Sequence, residues 1–203
     1  MTTPDALWHK GWLQSACAIA SPNFGDRPAG TAISLIVVHS ISLPPGQFGG
    51  GEIAQLFTNT LDWNAHPYFK QIEGIEVSAH FVIDRQGTVT QFVSCDQRAW
   101  HAGRSSFRGR SNCNDFSIGI ELEGLEGDAF ENKQYQALCA LISAISSQYP
   151  IENVSGHEHI APGRKFDPGA QFDWQLLRGH FGALIDTDPY IGLQPGHGNS
   201  DIT

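Results

Sequence analysis

The sequence predicts a single α/β domain built around a central β-sheet. Strand-like apolar runs alternate along the chain with helix-like segments, which is the pattern of an α/β domain. The chain has 203 residues, of which 40% are hydrophobic and 16% charged, so it can bury one sizeable core. No internal repeat is present. We therefore predict one domain over residues 1–185 and a polar tail over residues 186–203 that is expected to be flexible.

The first predicted strand covers residues 32–38, a continuous β-rich apolar run of the kind that is buried on both faces of a sheet. His39 follows directly, where its side chain can project from the sheet edge into a cleft. The Pro- and Gly-rich residues 43–51 predict a loop, and residues 52–58 a short helix. Residues 62–71 hold several aromatic side chains without a clear period, so we predict a structured loop.

A β-hairpin is predicted next, with strands over residues 78–85 and 88–93. Gln86-Gly87 between them is a suitable two-residue turn, because Gly adopts positive φ without strain. Residues 98–114 contain two Gly and several Arg and Ser. This composition predicts a further loop between the hairpin and the next strand.

The clearest strand pattern covers residues 116–123, in which apolar residues alternate with the others at period two. The alternation places the apolar side chains on one face of the strand. The carboxylates of Glu121 and Glu123 share the opposite face. Either carboxylate could therefore face a site, and periodicity alone does not choose between them.

The main helix is predicted over residues 133–148, because apolar residues recur there at helical spacing and Pro150 ends the segment. Residues 154–159 are a short strand candidate. Asp173 is a suitable N-cap for a final helix that continues to about residue 184. These elements complete the predicted α/β domain.

Charge and hydropathy exclude several classes of partner. The formal net charge is −9, so bulk electrostatics do not favour nucleic acid or an anionic membrane surface. No apolar run approaches the ~20 residues that a membrane-spanning helix needs. We therefore predict a small-molecule substrate and neither a nucleic-acid nor a membrane partner.

The N-terminal region and the cysteines indicate a cytoplasmic protein. Residues 12–20 are only partly apolar and carry little positive charge before them, so they do not predict a secretion signal. The four cysteines are scattered, and no two form a C-x-x-C pair. This usage is typical of thiols in a reducing compartment.

Two histidines and an aspartate form a candidate metal site. Catalytic zinc usually has three protein ligands, commonly imidazole and carboxylate, and keeps a fourth position for water. His39, His157 and Asp167 could supply that set, and His157 with His159 is a rival ligand pair. Because spacing alone is weak evidence, a hydrogen-bonded structural histidine remains the alternative reading.

Two further residue types could serve hydrolysis at such a metal. Glu121 or Glu123 could take the proton of the attacking water, although a solvated or salt-bridged glutamate is the alternative. Lys165 lies two residues before Asp167 and could stabilise a developing oxyanion. The alternative interpretation is that Lys165 is an ordinary surface lysine.

Seven blocks of sequence carry a resemblance to a known family. In order they are residues 37–46 (VVHSISLPPG), 65–69 (AHPYF), 77–80 (VSAH), 99–103 (AWHAG), 113–124 (CNDFSIGIELEG), 156–162 (GHEHIAP) and 165–169 (KFDPG). Together they resemble the AmpD-type group of 1,6-anhydro-N-acetylmuramyl-L-alanine amidases, in the type 2 N-acetylmuramoyl-L-alanine amidase family. That family also includes phage T7-type lysozyme and the peptidoglycan recognition proteins. The resemblance extends over roughly residues 10–185.

The resemblance implies a mixed central β-sheet flanked by helices, with Zn²⁺ in a surface groove. His39, His157 and Asp167 match the zinc ligands of the family, so Asp167 is preferred over His159. The implied activity is hydrolysis of the amide bond between the lactyl group of (1,6-anhydro-)N-acetylmuramic acid and L-alanine in muropeptides, in peptidoglycan recycling. We separately predict that the protein is a monomer.

Three further matches imply catalytic roles. Glu121 matches the catalytic glutamate and is preferred over Glu123. Lys165 matches the lysine at the scissile carbonyl, and Tyr68 matches a tyrosine near the catalytic centre. These assignments rest on the resemblance and not on periodicity.

Four positions are expected to contact substrate. The Trp100-His101 block is retained, which implies that these residues line the groove. The alternative is that Trp100 is buried in the core. Ser40 stands where enteric members usually carry asparagine. Asn112 and Glu76 stand where they carry arginines that face the sugar and peptide. The resemblance therefore does not determine the exact contacts to the ligand.

Three rival functions remain at this stage. Some relatives bind peptidoglycan without cutting it because zinc ligands are missing, so a binding module is one alternative. A broader amidase that acts on intact peptidoglycan is the second. A cysteine amidase that uses Cys113 is the third, although no nucleophile motif surrounds this residue.

Overall fold

The structure is a computed structural model that describes residues 7–188. The strands in chain order are β1 (Trp8–His9), β2 (Trp12–Leu13), β3 (Cys17–Ala18), β4 (Phe24–Gly25), β5 (Leu35–Ile41), β6 (Phe81–Ile83), β7 (Val89–Gln91), β8 (Arg98–Ala99), β9 (Ser106–Phe107), β10 (Arg110–Ser111), β11 (Ser117–Glu123) and β12 (Asn153–Gly156). The α-helices are α1 (Glu52–Phe57), α2 (Pro67–Gln71), α3 (Asn132–Gln148), α4 (His157–Ile160) and α5 (Trp174–Phe181), with 3-10 turns at Cys113–Asp115 and Gly182–Leu184.

The core of the fold is a six-stranded sheet with the order β12-β5-β11-β6-β7-β3. Strands β12, β5, β11 and β6 run parallel to one another, whereas β7 is antiparallel to β6 and parallel to β3. The predicted α/β class is confirmed, as is the mixed sheet that the family resemblance implied. Parallel central strands require cover on both faces, because their connections cross over the sheet.

The two faces of the central strands carry different chemistry. His39 on β5 lies in register with Glu121 on β11, so both side chains leave the sheet on the same face. On the other face, Ile36 and Ile118 pack into the main core with helix α3. The predicted alternation of β11 is therefore confirmed, although all seven of its residues are buried.

Helix α3 covers the apolar face and fixes the position of the strand ends. Its buried stripe includes the aliphatic residues Leu138, Leu141, Ile142 and Ile145. Full burial of each of these side chains contributes about 1.5–3 kcal/mol. Gln134 forms a capping box with Glu131 and also donates through Nε2 to the Glu123 carbonyl oxygen (2.9 Å). The helix is thereby tied to the carboxyl end of β11, where the site lies.

The structure corrects the predicted position of His39. The run over residues 32–38 predicted a strand that ends before this residue, but β5 covers Leu35–Ile41 and His39 is its fifth residue. The strand continues because β11 pairs with it as far as Glu123 and Ile41. A strand interior holds the imidazole more rigidly than a loop start would.

Two local predictions are wrong. Residues 62–71 were predicted as a loop, but α2 lies within them, with His66 as its N-cap and Pro67 at its first position. Five helical residues are too few to show a helical period. The segment 98–114 was also predicted as a loop, but it contains the two-residue strands β8, β9 and β10.

The predicted hairpin is confirmed, but its turn is longer than two residues. Ile83 pairs with Val89, so five residues separate β6 from β7. Asp84 Oδ1 accepts hydrogen bonds from the backbone N–H groups of Gln86 and Thr88, both at 2.8 Å. This side-chain support favours a longer turn, in which Gly87 adopts φ +84°.

The strand predicted over residues 154–159 is correct for residues 154–156 and wrong for residues 157–159. Strand β12 ends at Gly156, which is the last residue that pairs with β5, and His157 is the first residue of α4. The chain turns here because the Glu158 N–H donates to the Asp167 carbonyl oxygen (2.8 Å) instead of continuing the sheet ladder.

The predicted C-terminal tail is described only in part, since residues 189–203 lie outside the described residues. Within the described part, the Asp186 N–H donates to the Val154 carbonyl oxygen (2.9 Å). The Asp186 carboxylate also pairs with Arg108 at 2.8 Å. Residue 186 therefore contacts the domain. Between residues 7 and 188, no helix combines the length and apolar character required to cross a bilayer.

Candidate active site

Two histidines and one aspartate meet at a single point on the polar face of the sheet. His39 Nδ1 lies 2.9 Å from His157 Nδ1 and 3.1 Å from Asp167 Oδ2. His157 Nδ1 lies 3.0 Å from the same carboxylate oxygen. All three side chains are buried. Three ligand atoms from distant parts of the sequence thus face one position.

The fold explains how these three residues come together. His39 projects from β5, and His157 begins α4 directly after β12, the strand that pairs with β5. Asp167 lies in the loop that follows α4. Because the Asp167 carbonyl oxygen accepts from the Glu158 N–H, the loop is attached to the helix that carries His157.

The donor set fits a zinc ion. Two imidazoles and one carboxylate are a common ligand set of catalytic zinc. His157 Nε2 lies 3.1 Å from the Ala102 carbonyl oxygen, which can only accept, so this nitrogen carries the proton. The lone pair of Nδ1 is therefore directed at the shared position. Burial lowers the pKa of His39 to about 4, which favours the neutral form of that imidazole.

The rival ligand His159 does not reach this position. Its Nδ1 accepts a hydrogen bond from the Gly156 N–H (3.1 Å), and its ring packs against Trp174. His157 and His159 lie on one helical turn and not on a strand, so residues two apart point in different directions. Among residues 7–188, the metal-ligand cluster consists of His39, His157 and Asp167.

Glu121 lies beside the three residues and has one unpartnered oxygen. Its Oε1 is 4.0 Å from His39 Nδ1, and its Oε2 is buried without a hydrogen-bond partner. Burial, together with the negative charge of Asp167, raises the pKa of Glu121 well above its ordinary value. A buried carboxylate with a free oxygen and a raised pKa is a typical candidate for a general base.

Glu123 has a different environment, although it shares the same strand face. Its Oε1 accepts from the Gly49 N–H (2.6 Å) and its Oε2 from the Arg85 N–H (3.2 Å). Both oxygens are thus used to attach two loops to the end of β11. The structure separates the two carboxylates that periodicity could not distinguish.

We expect Glu123→Gln to destabilise the protein without removing activity. The amide nitrogen cannot accept a hydrogen bond, so one of these two partly buried backbone N–H groups loses its partner, and a hydrogen bond of this kind contributes about 0.5–1.5 kcal/mol. Denaturant unfolding would measure the free-energy change, and turnover would be measured on the same preparation. An unchanged free energy of unfolding would contradict the anchoring role.

An open groove of about 530 Å³ runs over the candidate metal position. This volume suits a small organic ligand. The groove lining includes most of the predicted site residues, namely His39, Ser40, Tyr68, Trp100, His101, Glu121, His157, Lys165 and Asp167. The predicted contact residue Asn112 is not among the lining residues. It is exposed and lies at positive φ before the Cys113–Asp115 turn.

Other residues line the groove that were not predicted as site residues. Pro45 lines one part of the groove, and Leu125 and Glu126 from the loop after β11 line another. These residues come from loops without periodicity. Pro45 lies within the block at 37–46, and Leu125 and Glu126 directly follow the block at 113–124, so their positions in or beside these blocks could have indicated them.

Cys113 is not suited to act as a nucleophile. Its side chain is fully buried in an apolar cluster with Phe107 and Phe116. Burial raises the pKa of this thiol to about 11, so the reactive thiolate is disfavoured. The cysteine amidase alternative therefore finds no support in the geometry.

The fold and the site together define a class of protein. A mixed sheet that presents two histidines, an aspartate and a free buried glutamate in an open groove is the arrangement of a metallohydrolase. The groove and the ligand set lie in one domain, at the carboxyl ends of β5 and β11.

Comparison with known proteins identifies the family. Residues 29–170 match the N-acetylmuramoyl-L-alanine amidase family, and the chain belongs to it. The chain is 53% identical over 174 residues to the 1,6-anhydro-N-acetylmuramyl-L-alanine amidase AmpD of Citrobacter freundii, covering 85% of this chain and 93% of that protein.

Solved structures are similar as well. The crystal structure of a selenomethionine derivative of AmpD matches with a TM-score of 0.83 and 53% identity, over 85% of this chain and 98% of that one. The amidase AmiD of Escherichia coli, in complex with the substrate anhydro-N-acetylmuramic acid-L-Ala-D-γ-Glu-L-Lys, matches with a TM-score of 0.54 and 29% identity. That match covers 78% of this chain and 65% of that one.

Proposed function

We propose that this chain hydrolyses the amide bond between the lactyl group of 1,6-anhydro-N-acetylmuramic acid and L-alanine in muropeptides, with zinc held by His39, His157 and Asp167. The observation that carries the proposal is the meeting of these three ligand atoms beside Glu121 in one groove. The activity of the AmpD of Citrobacter freundii, which is 53% identical over 174 residues, supports the substrate class.

The proposed chemistry assigns a role to each polar group. Zinc, when bound, supplies a Lewis acid that acidifies water and polarises the carbonyl. Glu121 takes a proton from the attacking water and returns it to the nitrogen of L-alanine as the carbon–nitrogen bond breaks. The Lys165 ammonium stabilises the negative charge that develops on the lactyl carbonyl oxygen. The products are a muramyl sugar acid and a stem peptide with a free amino group.

Substrate contacts are proposed for the remaining lining residues. Tyr68 lines the groove and is proposed to act near the scissile bond, and Ser40, Trp100 and His101 line the groove as proposed substrate contacts. We do not propose a contact for Asn112, because it does not line the groove.

The test is release of stem peptide from a soluble anhydro-muropeptide and from intact peptidoglycan, with a chelator and with zinc added back. We expect cleavage of the soluble fragment that is lost on chelation and restored by zinc. Equal cleavage of both substrates would favour a broader wall amidase. Binding of the muropeptide without cleavage, at full zinc occupancy, would favour the binding module.

The proposed place of action is the cytoplasm, in peptidoglycan recycling, and the proposed active form is a monomer. All four cysteines are free thiols, which supports a reducing compartment. Cell fractionation would test the location, and light scattering of the purified protein would test the monomer.

A further inference from the structure

His101 lies between one candidate metal ligand and the strand behind it. Its Nδ1 is 2.9 Å from His39 Nε2, and its Nε2 is 3.2 Å from the Ser117 hydroxyl. The two histidine rings meet edge to face, with centroids 5.0 Å apart. Both nitrogens of His101 therefore face protein groups, although the ring also borders the groove.

The direction of each hydrogen bond in this chain can be deduced. Ser117 Oγ lies 2.6 Å from the Cys113 carbonyl oxygen, and a carbonyl can only accept, so the single hydroxyl hydrogen is used there. The same oxygen must then accept from His101 Nε2–H. A neutral His101 consequently presents a lone pair at Nδ1, which accepts from His39 Nε2–H. His39 is left with its lone pair at Nδ1, the atom that faces His157 and Asp167.

The backbone next to His101 performs the same task for the second histidine ligand. The Ala102 carbonyl oxygen accepts from His157 Nε2–H (3.1 Å). The buried Asn114 Oδ1 accepts from the backbone N–H groups of both His101 (3.2 Å) and Ala102 (2.8 Å). One two-residue segment, held by one side chain, therefore contacts both imidazole ligands.

The sheet leaves space for this arrangement. Gly119 on β11 lies against the His101 ring, and a Cβ atom there would be 2.5 Å from His101 Cγ. Any other residue at this position would displace the ring. The close packing holds the ring in one orientation, as a positioning role requires.

We propose that His101 is a positioning residue that, through its hydrogen bonds with His39 and Ser117, holds His39 as the Nε2–H tautomer with Nδ1 directed at the metal. The inference rests on the metal site of the proposed function. It assigns His101 a role that acts through His39, in addition to any contact with substrate.

The first test is zinc affinity, measured by competition with a chromophoric chelator on the purified full chain. We expect His101→Ala to weaken zinc binding by about 10–100-fold, as loss of such a partner typically does. His101→Asn should recover most of the affinity, since its Oδ1 can accept from His39. His180→Ala, which removes an exposed histidine on α5, should bind zinc like the unaltered chain.

The outcomes separate positioning from substrate contact. An increase in KM with unchanged zinc affinity in His101→Ala would overturn the proposal and leave a substrate contact. Equal loss of zinc in His101→Ala and His101→Asn would also overturn it, because the hydrogen bond would then not be the cause.

A second measurement needs no variant that could misfold. The unaltered protein is labelled with nitrogen-15 at its histidines and freed of metal, and its nitrogen-15 spectra report the tautomer of each ring. The His39 signals are identified as those that are absent from the spectrum of His39→Gln. We expect His39 to carry its proton on Nε2. A His39 ring that carries its proton on Nδ1 and none on Nε2 would overturn the inference. If the unaltered chain bound no zinc, the proposed function would fail, whereas this tautomer measurement would still decide the inference.

Discussion

Glu121→Gln is expected to lower kcat by about 10²–10⁴-fold, the usual contribution of a general acid–base residue. The amide preserves the shape of the side chain but cannot take a proton from water or return one to the leaving nitrogen. Because Glu121 is buried and its Oε2 has no partner, the substitution breaks no protein hydrogen bond at that oxygen. Zinc content should therefore remain unchanged, and metal analysis alongside steady-state kinetics would show both effects.

Glu123→Gln is the matched control for this experiment. The same chemical change is made two residues along the same strand face, on a carboxylate whose oxygens are occupied by the Gly49 and Arg85 N–H groups. It should reduce stability and leave kcat nearly unchanged. The reverse result, with activity lost in Glu123→Gln and retained in Glu121→Gln, would transfer the role of base to Glu123.

Lys165→Ala is expected to lower kcat by about 10²–10³-fold, the range observed when one oxyanion-stabilising donor is removed. Lys165 borders the groove together with Glu121 and Asp167, and its positive charge acts on both Glu121 and His39. The charge is needed mainly as the carbonyl oxygen becomes negative, so KM should change less than kcat. Single-turnover kinetics with a soluble muropeptide would measure the chemical step directly.

Lys70→Ala provides the control for loss of a lysine. Lys70 is half exposed on α2 and pairs with Glu73 at 3.3 Å on the surface. Its removal should leave kcat, KM and zinc content as they are. Turnover in Lys165→Ala that equals the control would remove Lys165 from the mechanism, and loss of zinc in that variant would indicate a ligand-supporting role instead.

The sequence determined those features that depend on neighbours along the chain. The alternation over residues 116–123 correctly divided β11 into an apolar face and a carboxylate face. The helical period before Pro150 predicted α3 within one residue at its start. Asp173 caps α5 as expected, with its Oδ1 accepting from the Leu176 N–H (2.9 Å). Side-chain periodicity and capping are local, so a single sequence is sufficient to recognise them.

The tertiary structure decided which of several equivalent residues meet. Periodicity could not decide whether Glu121 or Glu123 is the catalytic carboxylate. Spacing could not decide whether His159 is a metal ligand beside His157. The family resemblance favoured one answer in each case but gave no physical reason for it. The reason lies in contacts over long sequence separations, since His39 meets His157 and Asp167 from 118 and 128 residues away. Such contacts depend on sheet order and on the register of β5 with β11 and β12, which no local pattern encodes. The role proposed for His101 follows from the same cause, because hydrogen-bond direction becomes evident only when Cys113, Ser117 and His39 are seen together.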